Sequence, residues 1–307
     1  MTKPIRILNF DGSVVSQKGF MACFRPTVID CADLGPSSRL WMNKKNAGQI
    51  KQRLAAADRG AMTFLGSGDF HHVSAVLLEQ FTEPLNVIIF DFHPDWDILP
   101  PRLGCGSWVN EALRRRNVKK AVLLGVSSED ISARSIRTGN LGALRKDRVE
   151  IYPYFHPPTA TLVRRVPENI SIKVKRSLFR NTISWSGLKG RDLTDFINSL
   201  AGRLETKKVY VSIDKDCLSS AWALTNWEKG LMELEELLVL LRLIKEKLEI
   251  VGVDVTGEYS LPVVKGNFKD YASRLDHPKD YSAFGKTENY INSINQRTNI
   301  ALAELLR

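Results

Sequence analysis

Residues 87–97 read VIIFDFHPDWD, and this stretch joins an apolar run to a row of ionisable groups. The apolar run is typical of a strand that is buried on both faces of a sheet. The groups that follow stand on alternate positions: Asp91, His93, Asp95 and Asp97. Alternate residues of an extended segment point to the same side. The stretch is therefore either a strand that ends in a solvated turn or a strand that delivers ligands to a metal ion.

Short apolar runs of the same kind recur along the chain and predict the strands of one sheet. They span 5–10, 61–66, 85–92, 120–126, 149–155, 208–214 and 248–255. Helical periodicity fills most of the gaps between them. The clearest predicted helices span 191–205, 232–248 and 287–307, the last with Thr287 as its N-cap. Because strands alternate with helices, we expect an α/β fold, a three-layer α/β/α arrangement with a mostly parallel central sheet.

The domain organisation predicted from the sequence is a single α/β domain over residues 1–307. A chain of 307 residues fits one large domain or two ordinary ones. No Gly/Ser linker, low-complexity tract or internal repeat divides it. The segment 156–190 is the least regular part of the sequence, and we expect an insertion or an irregular excursion over one face there.

Composition and charge narrow the classes of partner. The net charge of +10 is compatible with an anionic partner. The basic residues lie in separate short runs, however, so the sequence predicts no dedicated nucleic-acid site. No apolar stretch approaches the roughly 18 residues that crossing a bilayer requires, and no secretory signal is recognisable, so no membrane partner is expected. The four cysteines form no CxxC pair, which favours a reducing cytoplasm.

Other predicted strands also end in ionisable clusters. GSGDFHH occupies 66–72, SIDKD occupies 212–216, and the run 248–255 leads to Asp254 and Glu258. In open α/β sheets, ligands gather outside the carboxyl ends of the strands, so these clusters can meet at one edge. Crowded carboxylates and imidazoles raise each other's pKa values unless cations compensate them. A set of oxygen and nitrogen ligands without thiolates suits Mn²⁺, Zn²⁺, Fe²⁺ or Ni²⁺ better than Ca²⁺.

In this order, the clusters resemble the motifs of the ureohydrolases (arginase, agmatinase and formiminoglutamase) within the arginase–deacetylase fold. The family's GGDH, DAHxD, SxDxD and DxxE motifs have counterparts here in GSGDFHH (66–72), DFHPD (91–95), SIDKD (212–216) and DVTGE (254–258). A GGLT-like turn after SxDxD has its counterpart in KGLM (229–232). The resemblance covers roughly residues 60–260. It implies an arginase-like fold and a hydrolase of linear amidines.

The resemblance also implies roles for individual residues. The expected cofactor is two divalent ions, Mn²⁺ in the first place, that hold a bridging hydroxide as the nucleophile. The implied ligands are Asp91, His93, Asp95, Asp214, Asp216 and a histidine of the first segment, either His71 or His72, of which His71 is preferred. Asp95 would also accept a hydrogen bond from the hydroxide. Glu258 would bind the guanidinium of a small-molecule substrate, and family members lead us to expect a homo-oligomer.

The sequence departs from the family around the metal motifs. Where the family has a His-Gly pair that supplies a proton shuttle, this chain has Cys105-Gly106. Ser219-Ser220 replaces the Asp-Pro that usually follows SxDxD, and Glu258 stands one residue further from Asp254 than the motif requires. Two alternatives therefore stay open. One is a metal-dependent amide hydrolase of the same fold, similar to a deacetylase; the other is a metal-binding protein that has lost turnover.

Overall fold

The computed structural model describes residues 2–163, 165–276 and 287–307. Eight strands form one sheet in the order β2-β1-β3-β11-β10-β4-β5-β6, and every neighbouring pair is parallel. These strands are β1 Ile5–Asn9, β2 Thr27–Asp30, β3 Met62–Ser67, β4 Leu85–Phe90, β5 Val118–Leu124, β6 Val149–Tyr152, β10 Lys208–Asp214 and β11 Glu249–Glu258. All seven predicted strands are present. The strand that the sequence did not reveal is β2, a short edge strand with mostly exposed residues.

Helices cover both faces of the sheet. They are α1 Lys18–Phe24, α2 Gly35–Ser38, α3 Lys44–Leu54, α4 Val73–Leu77, α5 Trp108–Arg114, α6 Leu141–Arg145, α7 Leu193–Arg203, α8 Leu234–Lys247, α9 Asn267–Asp276 and α10 Glu288–Leu306. The side chain of Thr287 accepts a hydrogen bond from the backbone N–H of Tyr290, so the predicted N-cap of the last helix is confirmed.

The apolar core has two parts, one on each face of the sheet, because successive strand residues point to opposite sides. Leu65, Val87 and Leu123 face one part, which α3, α4 and α5 complete. Their neighbours Phe64, Ile88 and Val122 face the other part, which α7, α8 and α10 complete. The predicted three-layer α/β/α class is therefore confirmed.

The segment predicted to be irregular is more regular than expected. It contains a small sheet of three antiparallel strands in the order β7-β9-β8, formed by Thr159–Thr161, Asn181–Trp185 and Ile172–Lys175 respectively. Burial and exposure alternate along β8, which has the pattern of a strand with one face on a core. The runs are only three to five residues long, which is why the sequence pattern did not reveal them.

Candidate metal centre

The parallel sheet brings three of the sequence clusters to its carboxyl edge. His71 follows β3 by a short 3-10 turn, Asp91 directly follows β4, and Asp214 is the last residue of β10. Backbone N–H groups fix the carboxylates: His93 N donates to Asp91 Oδ1 at 2.7 Å, and Asp216 N donates to Asp214 Oδ1 at 3.0 Å. The carboxylates are therefore held by the turns that end their own strands.

A first group of potential ligands surrounds His71. Its Nδ1 lies 3.0 Å from Asp91 Oδ2, 3.1 Å from Asp95 Oδ2 and 3.6 Å from Asp214 Oδ2. One ligand atom each from His71, Asp91 and Asp214 fits within a span of 4.8 Å. This group therefore has the size and the donor atoms of a site for one divalent ion.

A second group surrounds His93 and shares Asp91 with the first. His93 Nδ1 lies 2.9 Å from Asp216 Oδ2 and 3.6 Å from Asp91 Oδ1. The opposite ring nitrogen, Nε2, lies 3.1 Å from Glu228 Oε2. The ligand atoms of Asp91, His93 and Asp216 again lie within 4.8 Å of one another. The two oxygens of Asp91 thus face different groups, which is the arrangement expected of a carboxylate that bridges two ions.

Crowding of the carboxylates shifts their pKa values. Burial, followed by the charge of Asp91, raises the pKa values of Asp95 and Asp216 to about 7. Burial, followed by the charge of Asp216, raises the pKa of Asp214 well above its ordinary range. Burial alone would lower the pKa of His71, but hydrogen bonds and charge from Asp91 and Asp95 outweigh it and raise the pKa. This excess of buried negative charge is what a bound cation neutralises.

The residues present fit a pair of divalent ions. His71 Nδ1 and Asp91 Oδ2 are buried and have no hydrogen-bond partner of good geometry among the described residues. Buried polar atoms normally have such partners, so atoms without one indicate a group that another species completes. The donor atoms are carboxylate oxygens and imidazole nitrogens, which suit Mn²⁺, Zn²⁺, Fe²⁺ or Ni²⁺.

Trp108 and a backbone turn fix Asp95. Trp108 Nε1 donates to Asp95 Oδ2 at 2.7 Å, and the Trp108 ring lies against the His71 ring with a centroid distance of 4.8 Å. Asp95 has a φ of 46°, in the left-handed region that side chains other than glycine seldom adopt. Trp108 lies near the metal motifs in the sequence, but its hydrogen bond to Asp95 could not be predicted, because the contact joins α5 to the turn after β4.

The two histidines of the first segment have different surroundings. His71 lies among the carboxylates, whereas His72 is fully buried and neither of its ring nitrogens has a hydrogen-bond partner among the described residues. Burial, followed by the charge of Lys269, lowers the pKa of His72 to about 3, so His72 is neutral. The neighbouring Asp69 accepts from Arg39 Nη1 and from Trp227 Nε1. The structure therefore brings His71, and not His72, to the ligand groups.

Glu258 does not lie where the proposed substrate role requires it. Its side chain is buried and accepts hydrogen bonds from Lys215 Nζ, from Asn299 Nδ2 at 2.6 Å and from Gln17 Nε2 at 2.9 Å. The residue three positions after Asp254 is Gly257, and the pairing of β11 with β3 shifts register on both sides of Thr256. This irregularity explains the extra residue in the motif. The carboxylate of Glu258 neutralises Lys215 instead of lining the cavity over the ligands.

That cavity has a volume of about 220 Å³. Besides the six predicted ligands, its lining includes Asp97, Cys105, Asp130 and Trp227. Cys105 thus faces the cavity from the segment in which the resemblance predicts a histidine. His156 lies elsewhere, with Nδ1 2.7 Å from the carbonyl oxygen of Pro157, and His277 lies outside the described residues. The rim residues Asp130 and Trp227 come from loops whose sequences carry no motif.

No protein-family model matches this chain. A curated relative, an uncharacterised protein from Thermotoga maritima, is 27% identical over 197 residues. The match covers 64% of this chain and 58% of that relative, so the chain spans less than two thirds of the relative's length.

Solved structures of other proteins share the fold along nearly the whole chain. The agmatine ureohydrolase of Thermoplasma volcanium has a TM-score of 0.56 at 11% identity, covering 98% of this chain and 89% of that chain. The arginase of Entamoeba histolytica has a TM-score of 0.56 at 10% identity, covering 99% of each chain. The proclavaminate amidino hydrolase of Streptomyces clavuligerus has a TM-score of 0.52 at 14% identity, covering 97% and 92%. The chain therefore has the arginase-type α/β fold.

None of its described helices is long and apolar enough to cross a membrane.

Proposed function

We propose that this chain is a hydrolase that uses two divalent metal ions to cleave a C–N bond in a guanidino or amidino compound. The observation that carries the proposal is the pair of ligand groups that share Asp91 at the carboxyl edge of an arginase-type sheet. The names of the solved structures with this fold, which include amidino and ureohydrolases, support the reaction class. Mn²⁺ is the ion we propose first, with Zn²⁺, Fe²⁺ and Ni²⁺ as alternatives for the same donor set.

Each residue of the site has a part in the proposed reaction. His71, Asp91, Asp95 and Asp214 would hold one ion, and Asp91, His93, Asp214 and Asp216 the other. When bound, the ions would lower the pKa of water and polarise the substrate. Asp95 would orient the attacking water and take up its proton, because Trp108 holds one of its oxygens in a fixed direction beside the cavity.

The charges around the cavity favour a cationic substrate. Asp97 and Asp130 line it, and Glu228 reaches His93 Nε2 at its exposed end. No lysine or arginine is among the described residues that line this cavity. Trp227 also lines it, and aromatic side chains attract planar cations. A guanidinium or amidinium group therefore matches the charge of the residues that line the cavity.

A second candidate is a metal-binding protein of this fold without turnover. Two observations favour it: Glu258 is buried against Lys215, and Cys105 stands where a histidine is expected. Neither feature removes a predicted metal ligand. The two candidates therefore differ in catalysis and agree on metal content.

The first test is the metal content of protein purified without a chelator, measured by elemental mass spectrometry. We expect about two equivalents per chain, and large losses in His93→Ala and Asp214→Ala. His156→Ala is the matched control, because His156 lies outside the cavity. One equivalent per chain would favour the deacetylase-like alternative. No metal after incubation with Mn²⁺ would refute both candidates.

The second test separates the two candidates. A panel of guanidino and amidino compounds is incubated with the metal-loaded protein, and release of urea, ammonia or amine is measured. We expect turnover of at least one cationic compound, and its loss in Asp95→Asn. Metal retained without turnover of any compound would favour the non-catalytic candidate. Unchanged turnover in Asp95→Asn would refute the role of Asp95.

We also propose that the protein acts in the cytoplasm on a small-molecule substrate. All four cysteines lie among the described residues, and none of them forms a disulfide. Thiols of this kind persist where the environment is reducing.

A further inference from the structure

The hairpin formed by β8 and β9 carries an exposed apolar tip. The tip, residues 176–180, has the sequence RSLFR. Leu178 and Phe179 are 89% and 83% exposed, more than any other large apolar side chain of the described residues. Exposed single apolar residues are common, but two adjacent large ones at the end of a hairpin form a protruding patch that the fold does not use.

Positive charge surrounds this tip. The segment 156–190 contains seven Lys or Arg residues and one Glu, a net charge of +6 out of +10 for the whole chain. The single acidic residue, Glu168, pairs with Arg176 at 2.8 Å. Lys173 and Lys175 point outward from β8, opposite Ser184 and Thr182 of β9. Among the described residues, β8 and β9 themselves carry no acidic side chain, and the one carboxylate beside them, Glu168, is neutralised by Arg176, so the outer face of the hairpin is basic.

The inner face anchors the hairpin. Ile172, Val174 and Ile183 are buried in the apolar core, and their strands keep a regular antiparallel register. Because one face is fixed by packing, the tip and the lysines are presented in a constant orientation. The apolar tip and the basic face thus act as one surface, which we call the basic hairpin (residues 172–185).

We propose that the basic hairpin docks this protein on the surface of an anionic lipid bilayer. Leu178 and Phe179 would enter the boundary between headgroups and acyl chains, while Lys173, Lys175 and Arg180 contact the lipid phosphates. Apolar insertion combined with a cluster of cations is the usual basis of peripheral binding to anionic membranes. Such docking needs no spanning segment, so it is compatible with the lack of a long apolar stretch in the sequence.

The charge and the side chains of the basic hairpin argue against two other binding partners, a nucleic acid and a second copy of this chain. A single-stranded nucleic acid is bound by aromatic rings on a sheet face, but the outward residues of β8 and β9 are lysines and small polar residues. A second copy of this chain in a two-fold arrangement would bring the same cations face to face. An anionic lipid bilayer matches both features: its headgroups complement the basic face, and its apolar interior can accept the side chains of the tip.

The small sheet that contains the hairpin contacts a segment that lines the cavity. Thr159 of β7, in the same small sheet, donates from Oγ1 to the carbonyl oxygen of Ile131 at 2.9 Å. Ile131 follows Asp130, which lines the cavity over the ligand groups. Docking through the hairpin would therefore fix one wall of the cavity relative to the membrane. The inference rests on the hairpin alone and does not depend on the metal centre.

The test is co-sedimentation of the full chain with phosphatidylcholine vesicles, with and without phosphatidylserine. We expect binding only to the phosphatidylserine vesicles, weakened by salt. Leu178→Ser/Phe179→Ser and Lys173→Glu/Lys175→Glu should each reduce the partition coefficient about tenfold or more. Leu261→Ser/Val263→Ser is the matched control, since these residues are 75% and 61% exposed and lie outside the hairpin. We expect its binding to equal that of the wild type.

A second readout reports insertion directly. Phe179→Trp should show a blue shift of tryptophan fluorescence with phosphatidylserine vesicles beyond that of the wild type under the same conditions. The inference is overturned by equal binding to neutral vesicles, by unchanged binding of the tip variant, or by an absent blue shift. Tip-dependent binding to RNA without vesicle binding, or tip-dependent self-association by analytical ultracentrifugation, would overturn it in favour of those partners.

Discussion

Gly257 and Asp214 approach so closely that a Cβ atom on Gly257 would lie 2.5 Å from Asp214 Oδ1. Gly257 also has a φ of 88°, in the region that glycine adopts without strain. The pairing of β11 with β3 also shifts register beside Gly257. The position that the DxxE motif gives to a glutamate therefore has to be a glycine here, and the carboxylate moves to the next residue.

Gly257→Ala tests this contact. The added methyl group would collide with Asp214 and Lys215 and would hold an unfavourable φ, so we expect a loss of about 2–4 kcal/mol in the free energy of unfolding. Displacement of Asp214 should also weaken metal binding at least about tenfold. Gly190→Ala is the control, because Gly190 has a φ of 73° but no atom within 4 Å of the added Cβ. Equal metal binding in both variants would contradict the role of the contact.

Trp108→Phe tests the hydrogen bond that holds Asp95. Loss of the Nε1 donor should lower metal affinity about 10–100-fold, because a residue that orients a ligand commonly has an effect of this size. Trp96→Phe is the control: Trp96 is equally buried, but its Nε1 has no hydrogen-bond partner among the described residues. Isothermal titration with Mn²⁺ measures both. Similar losses in the two variants would mean that packing, and not the hydrogen bond, holds the site.

Glu258→Gln distinguishes a structural role from a substrate-binding role. Because Glu258 neutralises the buried Lys215, we expect the variant to lose about 3 kcal/mol of unfolding free energy, measured by urea denaturation. The double variant Lys215→Met/Glu258→Gln should recover part of the loss, since no uncompensated buried charge is left. A variant with normal stability and a raised KM would instead support the guanidinium contact implied by the family motif.

Glu150 gives a prediction of pH dependence away from the metal centre. Burial alone would raise the pKa of Glu150, but hydrogen bonds from Arg203 and Lys120 outweigh it and lower the pKa below its ordinary value of 4.5. Such a carboxylate stabilises the fold above the unfolded pKa, and this contribution is lost as the pH falls through the folded pKa. We expect Glu150→Gln to cost about 2–3 kcal/mol at neutral pH.

The pH series provides the internal control for this prediction. The stability difference between wild type and Glu150→Gln should shrink as the pH is lowered below about 4.5, because Glu150 then becomes protonated and, like Gln, carries no charge. Glu111→Gln, which removes an exposed pair with Arg114, should change stability little at any pH. A difference that stays constant to low pH would show that the carboxylate charge is not what stabilises the network.

The strands of the large sheet were predictable from the sequence. A strand that is buried on both faces consists of consecutive apolar residues, as in 87–90. The gathering of Asp91 and Asp214 was predictable for a related reason: parallel strands end at the same edge. The preference for His71 over His72 agrees with the position of His71 among the carboxylates, but the resemblance left both residues open, because the outcome depends on how one short turn orients two adjacent side chains. Only three-dimensional packing decides which of them faces the carboxylates.

Contacts between distant segments account for the rest of what the sequence did not reveal. The pairing of Glu258 with Lys215 depends on a register shift in β11, and a one-residue shift reverses the side to which each side chain points. The small sheet of 159–185 depends on strands too short for a periodic signal. Trp227 lies beside KGLM (229–232) in the sequence, whereas the 3-10 turn Glu129–Ile131, which brings Asp130 to the cavity, carries no motif.

The position of β11 has a consequence for synthesis of the protein. Of the strands that the structure describes, β11 is translated last, yet it lies between β3 and β10 in the sheet. His71 follows β3 and Asp214 ends β10, so the first ligand group stays incomplete until residues 249–258 have been translated and inserted. Such non-local pairing forms late in folding. A nascent chain that is interrupted before β11 would therefore lack the first ligand group, whereas β4 and β10, which carry the second, pair directly.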